Sequence, residues 1–180
     1  MRIIAGKFKR QVIHTIRGEA VRPTTDRVRQ ALFDTLAARM NFEDIDVLDL
    51  FAGSGILGIE ALSRGALRCT FVEQNRKTMQ GLAQSIKLLQ LEEQTQLVQT
   101  DALRFLEQTT AHYDLIFADP PYKFEHYHEL LDKIFSRNLL AGYLAMEHHK
   151  RKDFSARAEF LFCKEFGTTV VSFFSAKQTS

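Results

Sequence analysis

The chain has 180 residues, of which 45% are hydrophobic and 26% are charged, and it contains no Trp. This length and composition suit one globular domain with a buried core and exclude a disordered chain. No apolar run approaches the ~18 residues of a membrane span, and residues 1–7 lack the long apolar stretch of a secretion signal. We therefore expect a cytoplasmic protein that has no membrane partner.

The formal net charge of +2 is unevenly distributed along the chain. Basic side chains far outnumber Glu19 and Asp26 over residues 1–29, so the remainder of the chain is net acidic. A concentrated basic end favours a phosphate-backbone partner. A solvated surface that keeps an N-terminal hairpin soluble explains the same charge equally well.

Neither the cysteines nor the histidines predict a metal site. Cys69 and Cys163 are far apart in apolar, strand-like contexts, so we expect two buried free thiols. The adjacent His148 and His149 would point to opposite faces of a strand and could not share one metal ion.

Residues 1–40 are expected to form a basic N-terminal part, and residues 41–180 a catalytic domain. Short apolar pairs at residues 3–4 and 12–13 flank a basic turn, which predicts a β-hairpin. The segment at residues 23–26, Pro-Thr-Thr-Asp, then supplies the start of an amphipathic helix.

From residue 45 onward, short apolar strands alternate with amphipathic helices. The predicted strands are residues 46–51, 68–73, 96–100, 113–118 and 143–147, and the predicted helices are residues 56–63, 75–89, 102–108 and 125–135. This alternation predicts an α/β fold with a mostly parallel sheet covered on both faces. Residues 160–166 and 168–174, joined around Gly167, predict an antiparallel hairpin at the sheet edge. That layout is Rossmann-like and typical of class I S-adenosylmethionine-dependent methyltransferases, although layer rules alone also allow a flavodoxin-like sheet.

A glycine-rich turn joins the first strand of this sheet to the next helix. The turn consists of Phe51, Ala52, Gly53, Ser54 and Gly55. The glycines allow a sharp turn and a close approach of a ligand, and the free amides of the following helix can hold a carboxylate. The pattern is typical of a cofactor loop but also matches dinucleotide-binding sequences.

Three acids narrow the choice of cofactor. Asp49, near the end of the first strand, can pair with an ammonium group such as the α-amino group of a methionine. Glu73 ends the second strand, where a carboxylate can accept the hydroxyls of a ribose. Asp101, followed by Ala102, can accept an adenine amino group, or it can simply cap the next helix. Together the acids favour S-adenosylmethionine.

The decisive motif is Asp119-Pro120-Pro121-Tyr122, at the end of an apolar strand. The amino nitrogen of a nucleic-acid base is a poor nucleophile, because its lone pair is delocalised into the ring. Asp119 and the Pro120 carbonyl can accept its hydrogens, the prolines make the turn rigid, and Tyr122 can stack on a flipped base. The motif predicts methylation of an exocyclic amino group, without a metal ion.

Residues 1–9, 22–29 and 58–66, together with these motifs, resemble the RsmD family, and the likeness runs from residue 1 to about residue 175. That family methylates N2 of a guanine in 16S ribosomal RNA. The resemblance implies a monomer that acts on this RNA within a small ribosomal subunit or an assembly intermediate. It also implies RNA contacts for Arg2, Lys7, Lys9, Arg10, Arg22 and Arg27.

Other functions remain compatible with these motifs. Asp-Pro-Pro-Tyr also serves adenine-N6 methylation of DNA or RNA, although 180 residues leave little room for a separate recognition domain. A non-catalytic RNA-binding assembly factor would keep the same pocket. A nicotinamide-dependent oxidoreductase would need an acid–base partner that the sequence lacks. The residues do not indicate which guanosine is chosen, or how guanine is told from adenine.

Overall fold

The computed structural model describes residues 1–13 and 26–176. The helices are α1 (Asp26–Ala37), α2 (Ile56–Ser63), α3 (Arg76–Leu89), α4 (Ala102–Gln108) and α5 (Tyr127–Ser136), with a short 3₁₀ turn at Glu92–Gln94. The strands are β1 (Asp46–Leu50), β2 (Arg68–Val72), β3 (Thr95–Val98), β4 (Tyr113–Ala118), β5 (Leu140–His149), β6 (Phe160–Phe166) and β7 (Thr169–Ser175).

The strands form one seven-stranded sheet in the order β3-β2-β1-β4-β5-β7-β6. Strands β1 to β5 are parallel, whereas β7 runs antiparallel to both of its neighbours, β5 and β6. β6 is the edge strand beside β7. The predicted fold class is confirmed. β5 extends beyond the predicted residues 143–147 at both ends, because it pairs with β4 from Leu140 onward and with β7 as far as His149.

Both faces of the sheet are covered, as expected for parallel strands. On one face α1, α2 and α3 pack through residues such as Phe33, Ile59 and Leu82 against Phe117 of β4. On the other face α4 and α5 form a second cluster with Leu130 as one of its fully buried members. The two clusters leave the carboxyl ends of the strands uncovered between β1 and β4, where the chain order reverses direction across the sheet.

The N-terminal segment crosses the outer side of α2. The predicted hairpin is present as a single antiparallel bridge, between Arg2 and Val12, with turns between its arms. The backbone N–H groups of Ile4 and Ala5 donate to the buried carboxylate of Glu60 at 2.7 and 3.0 Å. The segment shares the apolar cluster of α1 to α3, and the division at residue 40 stays a prediction.

The expectation of two buried thiols is half wrong. Cys69 on β2 is buried, but Cys163 is exposed. The reason is its strand: β6 is the edge of the sheet and residues 163–165 face solvent. The predicted helix start at residues 23–25 lies outside the described residues, as does Arg22.

Candidate active site

A cavity of about 540 Å³ opens at the carboxyl ends of the parallel strands. Its lining includes the turn after β1, the residue after β2, the start of α4, the whole Asp119–Tyr122 motif and the end of β5. The cavity thus lies at the switch between β1 and β4, where open α/β sheets bind ligands. The structure brings together the predicted catalytic residues and, except for Gly55, the predicted cofactor residues.

The glycine turn is built from left-handed backbone conformations. Phe51, Gly53 and Gly55 have φ values of 60°, 55° and 75°. A non-glycine residue such as Phe51 is strained at this φ, as is common for loops that hold ligands. A Cβ at Gly53 would meet only the Phe51 carbonyl oxygen at 3.8 Å, so the turn leaves open space at that position. Gly53 therefore offers its backbone to a ligand.

Gly55 and Gly58 serve packing between α2 and its neighbours. A Cβ at Gly55 would lie 2.3 Å from Leu82 Cδ1, and one at Gly58 would lie 2.4 Å from Phe71 Cε1. Gly55 does not line the cavity. The structure thus gives it a packing role, and its contact with a cofactor stays a prediction.

Asp49 is the most deeply buried acid of the site, with 2% of its surface exposed. Its carboxylate accepts a hydrogen bond from the Gly58 backbone N–H at 2.9 Å. Burial raises the pKa of Asp49 well above its ordinary value, and the negative charges of Asp119 and Glu73 raise it further, against the lowering effect of the Gly58 bond. The site therefore concentrates negative charge, which suits a cationic ligand.

Glu73 and Asp101 organise the backbone around them. Glu73 accepts the N–H of Gly53 at 3.0 Å and that of Asn75 at 2.7 Å, and thereby ties the glycine turn to the start of α3. Asp101 caps α4 by accepting the N–H of Leu103 at 2.9 Å and that of Arg104 at 3.1 Å through one oxygen. It also lines the cavity beside Ala102, so the two interpretations of Asp101 are compatible.

The Asp119–Tyr122 motif turns sharply away from β4. Asp119 is half-buried and Pro120 is buried, whereas Tyr122 is 81% exposed at the cavity mouth. The turn is closed by a hydrogen bond from the Phe124 N–H to the Pro121 carbonyl at 2.8 Å. The Tyr122 ring meets His149 edge-on, with 5.6 Å between ring centroids. One of its faces is therefore available to a planar ligand.

The cavity has a second wall that was not predicted from the sequence. This wall consists of Glu147, His148 and His149 at the end of β5, Thr168 and Thr169 at the β6–β7 turn, and Tyr127 of α5. The pKa of Tyr127 is raised to about 12, first by burial and then by the charges of Asp119 and Glu147. The pairing of β4 with β5 brings the end of β5 to the cavity, and the pairing of β5 with β7 sets His149 opposite Thr169. Both signals depend on the alignment of the strands.

His148 anchors this wall. Its Nε2 lies 2.7 Å from the Ser172 hydroxyl of β7, and its Nδ1 lies 3.0 Å from the His149 carbonyl. Because a carbonyl only accepts, Nδ1 carries the hydrogen and Nε2 accepts from Ser172. Burial lowers the pKa of His148, so the neutral ring is favoured.

Comparisons with known proteins agree with this geometry. The family model described as "Conserved hypothetical protein 95" matches residues 1–175. The ribosomal RNA small subunit methyltransferase D of Haemophilus influenzae is 33% identical over 178 residues, which cover 96% of this chain and 91% of that protein. The chain belongs to the RsmD family. The family predicted from the sequence is thereby confirmed.

Two further relatives support the RsmD assignment. YlbH of Bacillus subtilis, described as a candidate rRNA methyltransferase, is 37% identical over 155 residues, which cover 83% of each chain. The solved structure of yhhF from Escherichia coli, described as a candidate methyltransferase, superposes with a TM-score of 0.86 at 30% identity. That match covers 98% of this chain and 99% of the other.

Among residues 1–13 and 26–176, the basic side chains predicted to bind RNA do not line the cavity, although Arg2 follows Met1, which does. Arg2, Lys7, Lys9, Arg10 and Arg27 are exposed. The backbone N–H of Lys7 donates to the Ser63 carbonyl at 2.7 Å, at the end of α2 remote from the glycine turn. An eight-residue helix spans about 12 Å, so Lys7 stands roughly that far from the cofactor loop.

A second basic group, not anticipated from the sequence, flanks the cavity mouth of this RsmD family member. We call Lys123, Lys150, Arg151 and Lys152 the mouth cations; all are exposed. Lys123 follows Tyr122, and Lys150 follows His149, both of which line the cavity. Lys152 Nζ lies 5.8 Å from the centroid of the Tyr127 ring. These charges stand closer to the opening than Lys7 does.

Within residues 1–13 and 26–176, no helix is long and apolar enough to cross a membrane. In the same part of the chain, no group of three or more His, Cys, Asp or Glu side chains is arranged to hold a metal ion.

Proposed function

We propose that this protein transfers the methyl group of S-adenosylmethionine to the exocyclic N2 amino group of a guanine in 16S ribosomal RNA. One observation carries the proposal: the Asp119–Tyr122 motif and the glycine turn line one cavity, at the reversal point of a mostly parallel sheet. Membership of the RsmD family supports the methyltransferase class and the ribosomal RNA substrate. The choice of guanine N2 rests on the resemblance described above.

We call the glycine turn, together with Asp49, Glu73 and Asp101, the cofactor half of the cavity. These residues fit S-adenosylmethionine. Gly53 leaves room for close approach of the ligand, and Glu73 and Asp119 supply negative charge opposite a cationic ligand. An ammonium group beside Asp49 would offset the burial and the like charges that disfavour the ionised form of this carboxyl. Both oxygens of Glu73 already accept backbone N–H groups, but each carboxylate oxygen has a second lone pair for a ribose hydroxyl. The oxygen of Asp101 that is not used to cap α4 can accept an adenine amino group.

S-adenosylmethionine, when bound, supplies a methyl group already activated by its sulfonium. The task left to the protein is to present the acceptor amine. Asp119 and the Pro120 carbonyl accept the two amine hydrogens, which directs the nitrogen lone pair out of the base plane. The Asp119 carboxylate also stabilises the positive charge that develops on nitrogen. Pro120 and Pro121 restrict the backbone, so these acceptors are positioned before the base arrives.

Tyr122 and the mouth cations serve the RNA. A base that enters the cavity must leave its stack, and the exposed ring of Tyr122 offers a new stacking partner, worth ~1–3 kcal/mol. The mouth cations would hold the phosphates on either side of the flipped base. Of the other predicted contacts, Arg2 follows Met1, which lines the cavity, and Lys7 would bind the RNA farther away. Lys9, Arg10, Arg22 and Arg27 stay predicted RNA contacts.

The expected setting of the reaction is the bacterial cytoplasm. The substrate is 16S ribosomal RNA within a small ribosomal subunit or an assembly intermediate, and the enzyme acts as a monomer.

Incubation of the purified protein with labelled S-adenosylmethionine and small ribosomal subunits tests the proposal. Nucleoside analysis of the RNA should yield labelled N2-methylguanosine, and the Asp119→Ala variant should yield far less. Labelled N6-methyladenosine would instead establish the adenine-N6 alternative. RNA binding without any methylated nucleoside, at saturating cofactor, would identify an assembly factor and contradict the proposal.

A further inference from the structure

Asp119 directly follows the last residue of β4, and Glu147 lies at the same level near the end of the neighbouring strand β5. In the parallel pairing of β4 with β5, Phe117 lies opposite Ala145 and Ala118 lies opposite Met146. The next position after β4 is therefore Asp119, and the next position on β5 is Glu147. Parallel strands are ~4.8 Å apart, so the two backbones carry their carboxylates side by side.

The two carboxylates also share a face of the sheet. Successive side chains on a strand alternate between faces, and Phe117 and Ala145 both pack in the cluster of α1 to α3. Asp119 and Glu147, two positions farther on, point to that same side. Both line the cavity, and Glu147 is half-buried. Burial raises the pKa of Tyr127 to about 12, and the charges of Asp119 and Glu147 both add to that rise, so both carboxylates lie near the Tyr127 hydroxyl.

A base whose amine is held by Asp119 presents its adjoining edge to Glu147. In guanine the C2 amine is flanked by N1, which carries a hydrogen, and by N3, which bears a lone pair; the N1 side is the one that a carboxylate can recognise. In adenine, the ring nitrogen next to the C6 amine bears a lone pair. In 2-aminopurine the amine sits at C2, as in guanine, but N1 bears a lone pair. A carboxylate accepts hydrogen bonds and never donates them when ionised, so it distinguishes these edges.

We propose that Glu147 is a specificity-determining residue that accepts the N1–H of guanine while Asp119 and Pro120 hold the N2 amine. This inference rests on the proposed function and adds the base selection that the Asp119–Tyr122 motif does not provide. An adenine or 2-aminopurine in the same place would set a lone pair against the carboxylate. Sites that hydrogen-bond a substrate N–H reject analogues that lack it strongly.

An analogue of the target nucleotide that lacks the N1 hydrogen tests the proposal. Because 2-aminopurine lacks the O6 carbonyl of guanine as well, the response of a Glu147 variant is what isolates the N1 contact. Small-subunit RNA is assembled by ligation with guanosine or with 2-aminopurine riboside at the methylated position, once that position is mapped. Wild-type protein should methylate the 2-aminopurine RNA with a kcat/KM lower by on the order of 10²-fold. The Glu147→Gln variant should narrow this gap to less than ~10-fold, because its amide N–H can donate to the N1 lone pair.

Glu125→Gln is the matched control, since Glu125 is exposed and does not line the cavity. It should keep the wild-type discrimination. An unchanged guanosine-to-2-aminopurine ratio in Glu147→Gln would overturn the proposal. Should that variant fail to fold, equal wild-type rates on the two RNAs would overturn it as well. Failure of the proposed function itself is distinguishable, because the wild-type protein would then leave no N2-methylguanosine in the guanosine RNA.

Discussion

The two halves of the cavity are constructed in different ways. The cofactor half uses backbone: left-handed residues in the glycine turn, and acids such as Glu73 whose oxygens hold backbone N–H groups. The base half uses side chains from separate elements, with Asp119 after β4, Glu147 on β5 and Tyr127 on α5. A backbone-built half recognises a constant cofactor, whereas a half built from side chains on several elements can vary with the substrate.

The largest effect is expected from Asp119→Ala, which tests whether the base half performs the chemistry. Loss of the acceptor that holds and stabilises the amine should lower kcat by about 10²–10³-fold. The affinity for S-adenosylmethionine, measured by calorimetry, should change much less. A kcat near the wild-type value would remove Asp119 from the reaction.

The glycine turn allows a matched test of the cofactor half. Gly53 and Gly167 both have positive φ, 55° and 68°, and both have space for a Cβ. Each change to Ala should therefore cost about 1–2 kcal/mol of unfolding free energy from the left-handed backbone alone. Only Gly53→Ala should weaken cofactor binding, by at least ~10-fold, as its methyl group enters the ligand space. Equal cofactor affinities in the two variants would contradict the assignment of the turn.

Asp49→Asn separates stability from cofactor binding. The pKa of Asp49 is raised in the folded protein, so its ionised form is disfavoured there and its contribution to stability falls as the pH rises through that pKa. The Asn side chain can still accept the Gly58 N–H. We expect a higher Tm than wild type, together with weaker binding of S-adenosylmethionine. The margin in Tm should grow as the pH rises from the ordinary carboxyl range to the raised pKa of Asp49 and should be constant above it. A lower Tm at every pH would show that the charge itself stabilises the fold.

The smallest effects are expected at the two basic surfaces, which are the mouth cations and the N-terminal segment. The salt dependence of RNA binding allows the two surfaces to be compared. Neutralisation of Lys150, Arg151 and Lys152 by Gln should reduce the slope of log affinity for RNA against log salt by ~0.7 for each phosphate contact that is lost. The same change at Lys7, Lys9 and Arg10 should reduce the slope too, but should lower kcat/KM less, because these residues lie farther from the cavity. Lys87→Gln, exposed on α3, is the control. A larger loss of kcat/KM from the N-terminal variant would make that segment the main RNA contact.

The fold, and the gathering of the predicted cofactor residues around one cavity, were predictable because their sequence signals are local. Alternating strands and helices, and the turn from Phe51 to Gly55, are contiguous in the chain. Glu147 could not be found in this way, because its significance depends on the register of β5 against β4. The prediction that Cys163 is buried was wrong for a similar reason. Its apolar neighbours predict burial, but Cys163 is exposed because β6 is the edge strand of the sheet.

Gly55 illustrates an intermediate case. The pattern predicts a tight turn, which its φ of 75° bears out, but the close approach of Leu82 is a tertiary feature. The role proposed for the mouth cations likewise depends on a tertiary feature, the contact of Tyr122 with His149 at the opening of the cavity.

The assignment of the cavity to guanine methylation is tested most directly by the modified nucleosides of small-subunit RNA from cells that lack the gene. We predict that one N2-methylguanosine disappears, returns when the wild-type gene is restored, and stays absent with the Asp119→Ala gene. Persistence of every N2-methylguanosine in the deletion strain, or its return with the Asp119→Ala gene, would contradict the assignment of this cavity to guanine methylation.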